Sequence, residues 1–432
     1  MKFPYGICDF NKIITKSYFY CDRTDRIRIL EETGDSLLFL RPRRFGKSLL
    51  LSMLANYYDV ACKDKFQKVF GHLLIGKNPT ELHNKYFILK WDFSCVDPTG
   101  TADDIKKALY NHINARIKGF KLYYSNYSLP EIEVNRDNAL ESIESLVSAV
   151  RMTDYPIYLL IDEYDNFANE VMMDTQGTKD NYEALVYEKG PLKTLFKSVK
   201  ASASESLFDR TFITGVSPVV MSDITSGYNI AKNIYLEPDF NRLCGFTEKE
   251  IQNAIEKIVD KCGMNNKEAS SALEMMRSYY NGYSFSYEAK DYIYNPTLAI
   301  YFLEKLYARC KYPRKMLDSN LAADEAKMRY ISGITKGKQL LLDLISHDNK
   351  VVIPELEDRF GINRMLDQRS KDFTFIASFL YYFGVLTMAG ETSLGKLILK
   401  VPNLVTQKLY VERIRKMFLP DPETRDNGVW AA

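Results

Sequence analysis

The sequence predicts an α/β protein: a mainly parallel sheet covered by helices, then a helical region, then a small α+β module. Three observations carry this. Short apolar runs without alternation recur over the first 245 residues, as strands buried on both faces require. Helical patterns separate those runs, which implies crossover connections and parallel pairing. From Thr247 the texture turns helical, until two strand-like runs flank a Gly/Ser/Thr-rich turn in "FGVLTMAGETSLGKLILKVPN".

Residues 1–24 read as a lead-in ending "SYFYCDRT", and a polar helix follows over Arg26–Glu32. "DSLLFL" is a short buried strand, and "GKSLLLSMLANYYDV" a helix apolar on most sides, as one packed on a sheet would be. "KYFILKWDFS" (Lys85–Ser94) is a second strand. "VDPTGTADD" then supplies helix caps for a helix over 103–120, and Asn138–Val150 is another helix. "YPIYLLIDEYDN" (Tyr155–Asn166) and "DRTFITGVSP" (Asp209–Pro218) are further strands of the same sheet. Thr247 with Glu250 opens a helix through a capping box, and helical segments continue to about residue 345. The expected domains are 1–245, 246–345 and 346–432. In the last, helices followed by a hairpin suggest a winged-helix-like module. Its best candidate for a recognition helix, "DFTFIASFLYYFG", is apolar nearly throughout and reads as built to pack.

Composition bounds the function. A chain of 432 residues with 46% hydrophobic and 26% charged content is an ordinary globular protein of two or three domains. A net charge of +2 gives no global field toward nucleic acid or anionic membrane, though a local basic groove stays open. No apolar run approaches a membrane span, and the first residues carry no secretory signal, so a cytoplasmic protein is expected. Seven scattered cysteines without a C-x-x-C pair argue against a disulfide framework or a structural zinc site and fit a reducing compartment. Thirty tyrosines are read as half-buried packing and coding bias before stacking on nucleic acid.

The chemistry concentrates in "SLLFLRPRRFGKSLLLSML" (Ser36–Leu54): strand, tight polar turn, then Gly-Lys-Ser opening a helix. This is the layout of a phosphate-binding loop. Gly46 lets backbone N–H groups close around phosphate oxygens, and the helix start adds unpaired donors and its positive dipole end. Lys47 would neutralise the β- and γ-phosphates of ATP, and Ser48 would ligate Mg²⁺; the nucleotide-binding set is Arg43, Arg44, Phe45, Gly46, Lys47, Ser48 and Leu49. Asp162, ending "YLLID", would hold the same Mg²⁺ through water, and Glu163 would polarise an attacking water. Thr214 is a candidate sensor of the γ-phosphate, with Ser217 as the alternative and a plain strand-end cap as the bland reading. Arg43 and Arg44 either serve the triphosphate or face solvent and pair with acids such as Asp22. Arg242 is an arginine finger or, the favoured reading, a salt-bridge residue. The loop departs from G-x-x-x-x-G-K-[ST] at Arg41, which stands in place of the first glycine. With Pro42 behind it, the turn must be entered from extended backbone.

These pieces together resemble the predicted AAA-ATPase-like family of bacterial and archaeal genomes, P-loop proteins that often carry a C-terminal PD-(D/E)XK-type nuclease domain. The matching stretches are "YGICDFNKI", "YFYCDRT", "LLFLRPRRFGKSLLLSML", "KWDFS", "YLLIDEYDN", "FITGVSPV", "GFTEKEI", "YYNGYSF" with "YNPTLAIYFL", and "SFLYYFGVLT" with "VPN". They occur in the family's order, and family loops of this kind carry Arg-Pro-Arg-Arg-Phe-Gly-Lys-Ser. The resemblance implies an additional-strand, AAA-like P-loop NTPase fold with a helical lid. It supports Lys47 and Ser48 in the loop and Asp162 and Glu163 at the acidic strand end. Proposed roles of the family centre on defence and mobile elements. After "VPN" only about thirty residues follow. The one Glu-x-Lys, in Asp324–Lys327, has no upstream Asp or strand context and reads as helix surface, so no nuclease activity is expected in this chain. The leading expectation is ATP hydrolysis coupled to domain rearrangement. The rivals are a nucleotide-gated module that assembles with itself or a partner protein, and a DNA-binding module using the C-terminal hairpin.

Overall fold

The structure, a computed structural model, describes residues 1–166, 183–186, 190–205, 207–224, 228–317, 340, 344, 350–358, 360 and 372–411. The Glu-x-Lys run at 324–327 lies outside the described residues. The chain divides into two compact units, Met1–Gly245 with Asp358–Ile362 and Phe246–Glu357 with Asn363–Ala432.

In the first unit, β1 (Ser36–Leu40), β2 (Phe87–Asp92), β3 (Ile157–Asp162), β4 (Phe208–Gly215) and β5 (Lys232–Asn233) form a five-stranded sheet. The order is β2-β3-β4-β1-β5, and every pair is parallel. This is the α/β class expected from the sequence, and β4 is the additional strand that separates β1 from the acidic strand β3. The apolar runs are explained by position: β3 is buried at all six residues, whereas edge strand β2 alternates buried and half-buried ones. Register sets Leu40 level with Gly215 and Ile213 level with Ile161, so the functional ends of three strands share one edge.

The helices α1 (Phe10–Thr15), α2 (Arg26–Thr33), α3 (Lys47–Tyr58) and α4 (Phe66–Phe70) belong to this unit. So do α5 (Ala102–Tyr123), α6 (Ala139–Val150), α7 (Pro191–Ser204) and α8 (Val219–Ile224). α3 packs across β2, β3 and β4, while α5 covers β2 and α7 covers β4. Thr101 and Asp104 form a capping box at α5, and Asn138 caps α6. The lead-in is more than a leader. Asp9 caps α1, Phe10 and Ile13 are fully buried, and Phe10 N donates to Ser52 Oγ of α3 at 3.0 Å. The strand anticipated over 155–166 is shorter, because Glu163 adopts φ +47° and breaks it after Asp162.

In the second unit, α9 (Glu248–Cys262), α10 (Asn266–Tyr280) and α11 (Pro296–Arg309) pack on one another. The capping box of Thr247 and Glu250 opens α9, and left-handed Gly263 closes it. β6 (Lys350–Ile353), β7 (Thr387–Glu391) and β8 (Leu397–Lys400) form an antiparallel sheet in the order β6-β8-β7. The hairpin β7–β8 follows the sequence pattern; β6 is an addition, too short to stand out as "KVVI". α12 (Phe373–Tyr382) packs on β6, and eight of its residues are buried, which accounts for its apolar sequence.

The cysteine reading needs correcting. Cys262, ending α9, and Cys310, the C-cap of α11, form a disulfide across a sequence separation of 48. Two helices side by side bring together thiols that no spacing pattern could pair. Cys8, Cys21, Cys62, Cys95 and Cys244 stay outside the disulfide as thiols. Among the described residues no helix is long and apolar enough to cross a membrane.

The "YYNGYSF" and "VPN" stretches meet inside this unit. Asn403 Nδ2 donates to Asn281 O at 2.8 Å, and Ser284 N donates to Thr387 Oγ1 at 2.7 Å. Gly282 sits between them at φ +100°, where an added Cβ would lie 2.1 Å from Pro402 O. A backbone oxygen cannot give way cheaply, and the angle is itself unfavourable for any L side chain. Gly282→Ala is therefore expected to destabilise the protein by about 2–4 kcal/mol, read by urea unfolding. A change within 0.5 kcal/mol would mean that the two stretches do not dock this closely.

Candidate phosphate-loop site

β1 ends at Leu40, and its ladder continues one residue further, with Arg41 N donating to Gly215 O at 3.1 Å. The loop then turns through two left-handed residues, Arg44 at φ +70° and Gly46 at φ +89°. A Cβ on Gly46 would meet nothing within 4 Å, so glycine is used there for its backbone angle. Left-handed positions in such a turn let successive N–H groups face one side, a concavity suited to an anion. α3 follows at once and has no side-chain cap, so its first-turn N–H groups add to that positive end. Phe45 is buried, and Ser48 and Leu49 are partly exposed on the first helical turn.

Lys47 is 5% exposed. Its Nζ donates to Arg41 O at 2.9 Å and Pro42 O at 3.3 Å. Burial pulls its pKa down, while the nearby charges of Glu163, Asp162 and Asp165 pull it up. Those three carboxylates belong to the end of β3 and the turn after it, one strand beyond β4. Asp162 is 2% exposed and accepts from Thr214 Oγ1 at 2.7 Å. Lys90 of β2 approaches its other oxygen at 4.0 Å. Burial raises the pKa of Glu163, and the charges of Lys47 and Arg43 offset part of that.

Gly46, Lys47, Asp162, Glu163 and Thr214 thus belong to one edge of the sheet. Ser217 does not join Thr214: its Oγ and backbone N both donate to Asp165 Oδ2, at 2.9 and 2.8 Å, fixing the turn after β4. Arg43 Nη2 donates to Asn166 Oδ1 at 2.7 Å, whereas Asp22 accepts from Thr24 and from Leu74 N. Arg44 and Arg242 are exposed, and the Arg242 carbonyl accepts from Arg23 Nε at 2.9 Å.

Sequence reasoning missed three residues. Asp165 holds the β4 turn, a role that the second aspartate of "DEYDN" could have signalled. Gly215 leaves room for it, since a Cβ there would lie 2.5 Å from the Tyr164 ring and 2.7 Å from Asp165 Oδ1. Arg41 points away from the loop mouth, and its side chain is buried.

The donors suit Mg²⁺, which keeps several waters and takes only one or two protein groups beside phosphate oxygens. Ser48 and Asp162 offer one hydroxyl and one carboxylate.

Comparison with known proteins gives the family of the chain. The sequence model described as Predicted AAA-ATPase matches residues 4–225, a little over half of the chain. The uncharacterized protein in the vnfD 5′ region of Azotobacter chroococcum mcd 1 is 23% identical over 430 residues, covering 98% of this chain and 71% of that protein. Among solved structures, the ORC2 protein of Aeropyrum pernix in ADPNP–ADP complexes is similar at a TM-score of 0.41 and 11% identity, over 92% of this chain and 93% of that one. The ORC1 protein of the same organism in complex with DNA follows at 0.32 and 12%, over 94% and 96%. Likenesses of that size leave the site to be read from its own residues.

The Thr214 hydroxyl orients a buried carboxylate, so Thr214→Val should cost about 1–3 kcal/mol in urea unfolding while Thr214→Ser costs less than half as much. Equal losses in the two would assign Thr214 a packing role only.

Proposed function

The chain belongs to the predicted AAA-ATPase family, and on that premise we propose that it binds ATP with Mg²⁺ at residues 43–49 and hydrolyses it. The reading is carried by one observation: Lys47 is buried at the start of an uncapped helix, on the sheet edge where β3 ends in Asp162 and Glu163. That is the charge arrangement a triphosphate and a nucleophilic water need.

In this reading, Lys47 exchanges its loop carbonyls for β- and γ-phosphate oxygens, and Arg43 and Arg44 add charge beside them. Backbone N–H groups around Gly46 and the first turn of α3 orient the chain of phosphates. Ser48 and Asp162 would hold Mg²⁺ beside the phosphates, and the ion would supply charge neutralisation there. Glu163 accepts the proton of the attacking water; the water oxygen bonds to the γ-phosphorus, and the bond from that phosphorus to the bridging oxygen breaks. ADP and phosphate leave, and the proton passes from Glu163 to solvent. Thr214 holds Asp162 in place, the part a sensor of the γ-phosphate would take. Nucleotide state is read as coupled to movement of the second unit. Assembly with itself or a partner protein and a cytoplasmic setting are kept from the sequence reading, and a role around defence or mobile elements rests on the family resemblance.

Lys47→Ala should weaken ATP binding more than about tenfold, the loss of a charged phosphate partner. Glu163→Gln should keep binding and lower turnover by about 10²–10⁴. The base works only when ionised, so activity falls as pH drops through the Glu163 pKa. That limb should lie above the ordinary glutamate range, because burial raises the value. Titration of ATP and a coupled hydrolysis assay read all three. Unchanged affinity in Lys47→Ala rejects the loop assignment; binding without turnover in wild type favours a nucleotide-gated module instead.

A further inference from the structure

Arg41 stands where phosphate loops of the common pattern have glycine, and it touches more than the loop. Its backbone N bonds Gly215 O of β4, and its carbonyl accepts from Lys47 Nζ at 2.9 Å. Its side chain is 1% exposed and lies over the Phe39 ring, 4.4 Å from the centroid. From there Nη1 donates to Leu40 O at 2.7 Å and Tyr235 O at 2.8 Å, and Nη2 to Phe240 O at 2.8 Å. The segment it grips is gripped again two and five residues after Phe240. Arg23 Nε bonds Arg242 O at 2.9 Å, and its Nη2 bonds Gly245 O at 3.0 Å. Between Tyr235 and Gly245 the chain forms only a short 3₁₀ turn, Pro238–Phe240. Two guanidinium forks therefore fix the stretch that continues into the second unit at Phe246.

We infer that Arg41 is a positioning residue that relays occupancy of the phosphate loop to segment 235–245. The inference rests on the nucleotide-binding reading above. The relay has a physical basis in shared partners. One carbonyl, that of Arg41, accepts from the lysine that would bind phosphate, and the same residue's side chain holds two carbonyls of the segment. When Lys47 turns to phosphate oxygens, the Arg41–Pro42 peptide loses its donor and the Arg41 Cα is released to shift. Differential contact of this kind is what a ligand needs to move an equilibrium. The planar fork is essential, since a lysine offers a point charge that cannot span the carbonyls of Tyr235 and Phe240 together.

The test is amide hydrogen exchange on the full chain, with and without Mg²⁺ and a non-hydrolysable ATP analogue. In wild type, analogue should slow exchange at 43–50 and change it at 234–245 by at least fivefold. Arg41→Lys and Arg41→Gln are both prepared, so that a fold defect in one does not end the comparison. In a folded variant, protection at 43–50 should persist, analogue affinity should stay within threefold, and the response at 234–245 should fall below twofold. Protection at 43–50 without a wild-type response at 234–245 overturns the relay and leaves the nucleotide site standing. A full response retained in a folded variant also overturns it. Absence of protection at 43–50 in wild type is failure of the nucleotide reading itself.

Discussion

Burying an ammonium group costs several kcal/mol unless opposite charge and hydrogen-bond acceptors surround it, and Lys47 is buried to 5% exposure. Much of the first unit answers that constraint. The parallel sheet delivers acceptors, because the C-terminal ends of β1, β3 and β4 converge on one edge where Asp162 and Glu163 follow a fully apolar strand. The inserted strand β4 then supplies Thr214 to orient Asp162, and Gly215 opens the space that Tyr164 and Asp165 occupy. Asp165 in turn pins the Val216–Ser217 turn through three donors. A charge cluster of this kind is held only if every member is positioned, which explains why so many neighbours are immobilised by hydrogen bonds to backbone.

Glu163 illustrates the cost. A non-glycine residue at φ +47° carries about 1–2 kcal/mol of backbone strain. The turn it makes ends β3 and starts the Glu163–Asn166 stretch, and the charges of Lys47 and Arg43 act on its carboxylate. Strain is kept at such a position when the surrounding packing over-determines it, and here Tyr164 N bonding Thr214 O and Asn166 N bonding Glu163 O hold both sides of the turn.

Much of this was legible in the sequence, for local reasons. Gly46, Lys47 and Ser48 announce a helix start, "YLLIDE" announces a buried strand with an acidic end, and Thr247 with Glu250 announces a cap; each signal acts within four residues. What escaped is long-range. The fork of Arg41 reaches carbonyls 194 and 199 positions away, and the Cys262–Cys310 bond depends on how two helices lie together. Arg43 finds Asn166 across the sheet edge, a partner set by register, not composition. Other motifs proved to be packing. Residues 281–284 and 402–403 are distinctive in sequence because Gly282 and Asn403 lock two chain segments against each other.

Replacing a first glycine by Arg41-Pro42 also changes the thermodynamics of the loop before any ligand arrives. Glycine surrenders more conformational freedom on folding than any other residue, whereas proline has its φ fixed from the start. A loop begun by Arg-Pro therefore has fewer unfolded conformers to give up. Its guanidinium, by contrast, bonds Leu40, Tyr235 and Phe240, outside the residues 43–49 that would meet phosphate. Rigidity that a glycine-led loop would acquire from its ligand is here built in by the protein, so a smaller part of the binding free energy is consumed in ordering the loop.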